Sequence, residues 1–145
     1  MGIYSELNLM RCLRNCRMLS SDVNAAFDPF YADRFDRDNA SFMGHGLVFC
    51  KYTGGSGKGG SNDANAEYLA KLRKVMDEND VVYQTAELGA VEKGGGGTIA
   101  YILSLYGMEV IDSGIAVMSM HAPWEAISKA DLYEAYKGYK AFLTL

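Results

Sequence analysis

Only two histidines, His45 and His121, occur in the 145-residue chain, so any imidazole chemistry must rest on one of two positions. Cysteine is scarce too. Cys12, Cys16 and Cys50 are an odd number without framework spacing. That argues against a disulfide-stapled secreted fold and for a reducing, cytoplasmic setting. Cys12 and Cys16 stand four apart in a helical pattern and share a face. With no other Cys or His nearby in sequence, they read as buried structural thiols rather than metal ligands. No apolar run reaches membrane-span length, and the first residues lack the apolar core of a signal peptide. The net charge of −4, with basic residues scattered among acids, gives no electrostatic footprint for nucleic acid. There is no internal repeat and no linker, and residues 1–145 have the length of one domain.

What is present is an ordinary globular pattern, 49% apolar and 22% charged. Residues 3–17 carry Ile3, Leu7, Met10, Leu13 and Cys16 at helical spacing, with Arg11, Arg14 and Arg17 on another face. "MLSSDV" (18–23) reads as a short buried strand and 24–45 as turn-rich loop. "GLVFCKY" (46–52) is a second strand. Residues 61–79 form a helix that buries Tyr68, Leu69, Leu72, Val75 and Met76. "VVYQTA" (81–86) is a third strand, and 98–107 an apolar helix that Gly107 closes. "MEVID" and "IAVMSM" are strands, or one bent strand, broken at Ser113–Gly114. The capping-box pattern "SKAD" (128–131) opens a last helix whose apolar stripe is Leu132, Tyr136, Tyr139 and Leu143, expected to be buried. Strands alternating with helices imply a layered α/β/α sandwich with a largely parallel sheet. In such sheets functional groups gather at carboxyl ends of strands, where Asp22 and His121 both fall.

The sixteen glycines concentrate in "TGGSGKGG" (53–60) and "KGGGGT" (93–98). The first cluster fails as a phosphate loop, because Tyr52 stands where the pattern needs its first glycine and Gly59 where it needs Ser or Thr. The quartet Gly94–Gly97 precedes a helix. It suits either an anion cradle of N–H groups or a tight turn where only glycine fits. His121 closes a strand before Pro123 and reads either as a satisfied structural histidine or as a ligand. Asp22, after Ser20 and Ser21, either caps a turn or binds a ligand. His45, between two glycines, reads as structural or exposed. No nucleophile-elbow pattern occurs.

The blocks "SSDVNAAFDP", "KYTGGSGKGGSNDANAEY", "QTAELGAVEKGGGGTIA" and "VIDSGIAVMSMHAPWEAISKADLYEAYKGYKAF" appear in order. Together the chain resembles the carboxy-terminal catalytic segment of the aspartyl aminopeptidase / aminopeptidase I family of zinc metallopeptidases, from about Leu9 to Phe142. The resemblance implies a two-zinc hydrolase that releases N-terminal residues from peptides and is homo-oligomeric when complete. It implies that Asp22 binds one zinc ion and His121 the other, so the two must converge at one sheet edge. Lys51 would face an acidic substrate side chain, and Gly97 and Thr98 would lie beside the active site. The family's first zinc-binding histidine, bridging aspartate, general-base glutamate and neighbouring metal-binding glutamate lie upstream of Asp22. Here 21 residues stand there, with Glu6 the sole acid and no histidine. The family's inserted oligomerisation domain is absent, and Ala122 follows His121 where relatives often carry Ser. The chain thus reads as part of a catalytic domain, inactive alone, or as a non-catalytic interaction or regulatory module derived from such an enzyme.

Overall fold

Four strands hydrogen-bond side by side in the order β1 (Arg17–Ser21), β6 (Glu109–Gly114), β3 (Leu47–Thr53) and β5 (Tyr83–Glu87). The two-residue β4 (Asn62–Asp63) pairs with the end of β3. A computed structural model describes residues 4–55, 59–90 and 92–145 of the chain. The Gly57–Lys58 pair of the first glycine cluster lies outside the described residues.

The sheet is mixed, which corrects the expectation of a largely parallel one. β1 runs parallel to β6 and β3 parallel to β5, but β3 and β6 are antiparallel. The reason lies in the connections. Between β3 and β5 the chain has the 13-residue helix α2 (Ala66–Glu78), enough to carry it back along the sheet for a parallel crossover. Between β5 and β6 the only helix among the described residues is the five-residue α3 (Ala100–Ser104). No long helix carries the chain back along the sheet there, and β6 starts at the end where β5 finished, antiparallel to β3.

Residues 24–45 are not plain loop. They contain β2 (Asn24–Ala25) and two 3₁₀ turns, Pro29–Arg34 and Arg37–Asn39, each opened by an aspartate side chain, Asp28 or Asp36. β2 pairs with β7 (Ala116–Met118), which pairs with β8 (Ala126–Ile127), making a second, three-stranded sheet. The bend between β6 and β7 at Ile115 is where the chain leaves one sheet for the other. β1 makes the same turn into β2 beside it, since Asp22, Asn24 and Ala26 donate to the carbonyls of Ser113, Ile115 and Val117.

Alternation assigns the two faces of the main sheet. Leu47, Phe49 and Ile111 point to one side, where α2 and α4 (Lys129–Phe142) cover them and build the core with Tyr68, Leu72 and Met76. Val48 and Ala86 point to the other side, against Ala26 and Ala116 of the small sheet. Helix α2 starts later than the expected residue 61, because Asn62 and Asp63 pair with β3 and Asn65 caps the helix by accepting from the Glu67 N–H. It buries Tyr68, Leu72 and Met76, with Leu69 and Val75 partly buried.

Helix α4 departs from its pattern. Ser128 caps it by accepting from the Asp131 N–H. The side it buries, however, is Asp131, Ala135, Gly138 and Ala141. The expected stripe faces outward, with Leu132 52%, Tyr136 62% and Leu143 84% exposed and Tyr139 half-buried. Two anchors set this phase. The Asp131 carboxylate accepts from the N–H groups of Gly44 and Gly46, at 2.7 and 2.8 Å. Gly138 lies so close to the sheet that a Cβ there would reach 2.5 Å from a Leu47 methyl. Helix α1 (Glu6–Arg14) buries no side chain at all. Cys12 is therefore exposed and Cys16 half-buried, and only Cys50 meets the expectation of a buried thiol.

Candidate active-site cleft

On the face away from α2 and α4, Ser20, Asp112 and Cys50 are neighbours across β1, β6 and β3 in the sheet register. Asp112 is 3% exposed. Its Oδ2 accepts from the Thr98 hydroxyl at 2.7 Å, which ties the glycine-rich segment down onto the sheet. Among the described residues its Oδ1 has no hydrogen-bond partner, and neither do the buried hydroxyls of Ser20 and Thr53. Burial pushes the Asp112 carboxyl above the usual carboxylate range. The Thr98 hydroxyl opposes this shift, while the negative charge of Asp22 adds to it. Burial likewise raises the Cys50 thiol to about 12, with the Asp112 charge a second cause, so Cys50 is no nucleophile near neutral pH.

Cys50, Thr53, Thr98 and Asp112 border a recess with about 10 Å³ of free space, lined also by Asp22, Asn24 and Leu88. Beside it opens a cleft of about 410 Å³. Asp22, Arg34, Gly94–Gly97, Thr98, Met120, His121 and Glu125 line this cleft. Asp22 and His121, 99 positions apart in sequence, therefore border one space, together with Gly97 and Thr98. Lys51 does not line it. That residue sits at a bulge in β3, where the register with β5 slips between Cys50 and Tyr52, and it is ion-paired with Asp63.

Each cleft residue is held by something local. Asp22 leaves β1 with its Oδ1 accepting from the Val23 N–H at 2.9 Å. Its backbone passes so close to β6 that any side chain at Gly114 would overlap the Asp22 carbonyl. His121 follows β7 in a turn where both it and Ser119 are left-handed, at φ 68° and 58°. That conformation costs an L-residue roughly 1–2 kcal/mol. The Glu125 carboxylate accepts from the His121 N–H at 2.6 Å and holds the turn. Glu125 is a cleft residue that sequence reasoning passes over. Its signal is a carboxylate four residues beyond a histidine and two beyond Pro123. In the glycine quartet, Gly94 abuts the Arg34 carbonyl, Gly95 the Leu88 carbonyl and Gly97 the Gly60 carbonyl, so the tight-turn requirement is physical at three of four positions. His45 is exposed, tilted against the Phe42 ring at 5.7 Å.

Asp22 and His121 offer an oxygen and a nitrogen donor, the ligand types zinc takes. Both are exposed to the cleft rather than sealed away. Two donors do not close a site. Among the described residues, no group of three or more His, Cys, Asp and Glu side chains comes together to hold a metal ion.

Comparison with known proteins supplies the context of this partial site. A family model described as aminopeptidase I zinc metalloprotease (M18) matches residues 3–143. A probable M18 family aminopeptidase 1 from Clostridium acetobutylicum is 58% identical over 142 residues, covering 98% of this chain and 30% of the relative. Its counterpart from Thermotoga maritima is 47% identical over 139 residues, covering 96% of this chain and 31% of the relative. Among solved structures, aminopeptidase I from C. acetobutylicum superposes with a TM-score of 0.87 at 59% identity, over 95% of this chain and 30% of that one. The T. maritima enzyme gives 0.90 at 46% identity, over 97% and 31%. The chain thus spans about 30% of the length of the relatives it matches. A family match that runs from residue 3 to residue 143 leaves little of the chain unaccounted for, and on that ground the chain belongs to the aminopeptidase I zinc metalloprotease (M18) family.

Proposed function

We propose that this chain forms the carboxy-terminal part of a zinc aminopeptidase catalytic domain. In this reading it contributes Asp22 and His121 as one ligand to each of two zinc ions in the complete enzyme. The observation that carries the reading is the convergence of these two residues, with Thr98 and the glycine-rich segment, on one cleft. The left-handed backbone at His121 adds to it, because strain of this kind is retained where a side chain must point in a particular direction. Zinc supplies a water of lowered pKa and polarises the scissile carbonyl.

The chain's own part is positional. Glu125 fixes the His121 turn by accepting from its backbone N–H. Gly114 lets Asp22 pass close along β6. Asp112 and Thr98 hold the glycine-rich wall against which a peptide substrate would lie. Lys51 at the β3 bulge is the candidate partner for an acidic N-terminal side chain, which would compete with Asp63 for the ammonium. The general base and the remaining ligands come from the rest of the enzyme, so the isolated chain is inactive.

The test is hydrolysis of aminoacyl-anilides in the presence of zinc. It compares the isolated chain with a full-length enzyme in which this segment replaces the equivalent stretch of the C. acetobutylicum relative. The isolated chain is expected to show no turnover. In the full-length enzyme Asp22→Asn and His121→Ala each lower kcat by at least about 10³-fold, with loss of bound zinc, as for removal of a metal's work at the reacting centre. Lys51→Met lowers kcat/KM for acidic N-terminal residues and spares neutral ones. Full activity and full zinc content in both Asp22→Asn and His121→Ala would refute the assignment.

A further inference from the structure

The cleft holds a guanidinium that the metal reading does not use. Asp22 and Glu125 are its carboxylates and, among the described residues, Arg34 is the single lysine or arginine on its wall. Local sequence fixes where that residue stands. Asp28 accepts from the Phe30 N–H, and Pro29 opens the 3₁₀ turn that ends at Arg34. Phe35 then leaves the turn in extended conformation and packs edge-on against Phe27, with ring centres 5.6 Å apart. The Arg34 carbonyl accepts from the Ala90 N–H at 2.9 Å, and a Cβ on Gly94 would come within 2.5 Å of that same oxygen. The main chain of Arg34 is thus a peg in the glycine-rich wall, and its side chain starts from a fixed point.

The guanidinium itself has one firm partner. Its Nη1 donates to the Lys93 carbonyl at 3.1 Å. The carboxylate of the adjacent Asp33 stands 3.6 Å from its Nε, beyond hydrogen-bond length, and both side chains are more than half exposed. An exposed pair of that kind contributes little. The cleft's own carboxylates are occupied elsewhere. Asp22 accepts from the Val23 N–H and Glu125 from the His121 N–H, and among the described residues neither is ion-paired with Arg34. The outer end of the fork, a second N–H on Nη1 and those of Nη2, is therefore available for the two parallel bonds that a carboxylate accepts. Lys51, the other candidate for an acidic group, does not line this cleft. A carboxylate held by Lys51 leaves Arg34 to a second anion, on the part of the peptide that follows the scissile bond.

We propose that Arg34 is a specificity-determining residue whose guanidinium binds a substrate carboxylate beyond the scissile bond. That carboxylate is supplied by the free C-terminus of a short peptide or by an acidic second side chain. Peptides anionic on the leaving side are favoured over neutral ones. This rests on the reading of the cleft as part of an aminopeptidase site.

The experiment has two arms. In the full-length enzyme that carries this segment, with zinc present, kcat/KM is measured for leucyl-alanine, leucyl-alaninamide, the α-amide of leucyl-aspartate and aspartyl-alaninamide. Arg34→Gln is expected to lower it by about 10- to 100-fold where the leaving side carries a carboxylate, the scale of a lost charge-assisted pair, and to spare leucyl-alaninamide. A loss for leucyl-alanine alone identifies the C-terminal carboxylate, and a loss for the leucyl-aspartate amide alone identifies the side chain. Arg34→Lys keeps the charge without the fork and is expected to recover part of the loss. The Arg34 side chain is 62% exposed, so both variants stay folded. In the second arm the chain itself, labelled with ¹⁵N, is titrated with N-acetyl-alanine and with its amide. The acid is expected to give saturable shifts at the Arg34 Nε–H and at the Lys93 and Gly94 amides, which are absent with the amide and absent in Arg34→Gln. An equal loss for all four substrates, which a purely structural hold on Lys93 would give, overturns the proposal. So does a loss confined to aspartyl-alaninamide, or acid and amide shifting the same signals alike. If the full-length enzyme hydrolyses nothing while the acid still binds through Arg34, the catalytic reading fails and the carboxylate site stands. Turnover unaltered by Arg34→Gln, with no acid-specific shift, does the reverse.

Discussion

The two faces of the main sheet are built on opposite terms. Under α2 and α4, Leu47, Phe49, Ile111, Tyr68, Leu72 and Met76 make an apolar core, and the one carboxylate that α4 buries, Asp131, is paired with the N–H groups of Gly44 and Gly46. On the other face, the same strands present Ser20, Asp112 and Cys50, and several of the buried polar atoms there have no partner among the described residues. A buried hydroxyl or carboxylate oxygen left unpaired costs roughly 1–3 kcal/mol. The cleft face therefore draws on stability that the helix face supplies. The difference teaches where the fold can be altered safely: volume matters on one side, and the placement of polar groups and glycines on the other.

The sharpest way to break this comparison is to weaken the helix face. Leu72 is fully buried between α2 and the sheet. Leu72→Ala removes a large buried side chain and leaves a cavity, and should destabilise by about 4 kcal/mol in urea titration. The effect should be uniform, lowering the unfolding midpoint while leaving the exchange pattern around Asp22 and Thr98 unchanged in the folded population. A cost below about 1 kcal/mol, well under the usual range for such a truncation, would mean that the helix face is not the main source of stability.

A single glycine probes the other face. Gly114→Ala drives a Cβ into the Asp22 carbonyl, a backbone atom that cannot swing aside. The expected cost is about 2–3 kcal/mol, as for overpacking against rigid structure. Unlike Leu72→Ala, the damage should be local, with chemical-shift changes concentrated at Asp22, Val23 and the β6–β7 bend. Spread of the perturbation through α2 would show that the two faces are less independent than their chemistry suggests.

How much of this is legible in the sequence differs from residue to residue. Helix α2 is readable because its apolar period and its contacts agree: Tyr68, Leu72 and Met76 meet a complete layer. The stripe Leu132–Tyr136–Tyr139–Leu143 is equally periodic, yet periodicity reports a buried face without saying which body buries it. The side of α4 that does touch the sheet is small-residue and acidic, and no hydrophobic pattern marks it. Sheet direction escapes the pattern because alternating strands and helices look alike whether the connection runs back along the sheet, as through α2, or turns at its end, as around α3. Asp22, His121, Gly97 and Thr98 stand in the motif blocks and line one cleft in the fold. Lys51, from the same blocks, stands apart from them at the bulge beside Asp63. Asp112 and Glu125 are not marked in the sequence because their partners, the Thr98 hydroxyl and the His121 N–H, are visible only in three dimensions.

The smallest expected effect concerns Asp112 and depends on pH. Burial raises its carboxyl above the ordinary value, with the Asp22 charge adding to the shift and the Thr98 hydroxyl opposing it. A carboxyl raised in the folded state binds its proton more tightly there than in the unfolded chain. Between the unfolded value near 3.9 and the raised folded one, the native state holds more protons, so stability falls as pH rises through that window and then levels off. The amide introduced by Asp112→Asn imitates the protonated acid: it can still accept from Thr98, and it carries no charge to desolvate. The variant should therefore match the parent below the window. Above it, the variant should be more stable by up to about 1 kcal/mol, the scale of one hydrogen bond's net worth. The measurement is urea unfolding of both proteins from about pH 3 to about pH 8, a range that brackets the unfolded carboxyl value. A gap that shrinks as pH rises, or a variant less stable at neutral pH, would mean that the carboxylate form is satisfied in the fold, and the cleft face would then be no drain on the stability supplied by the helices.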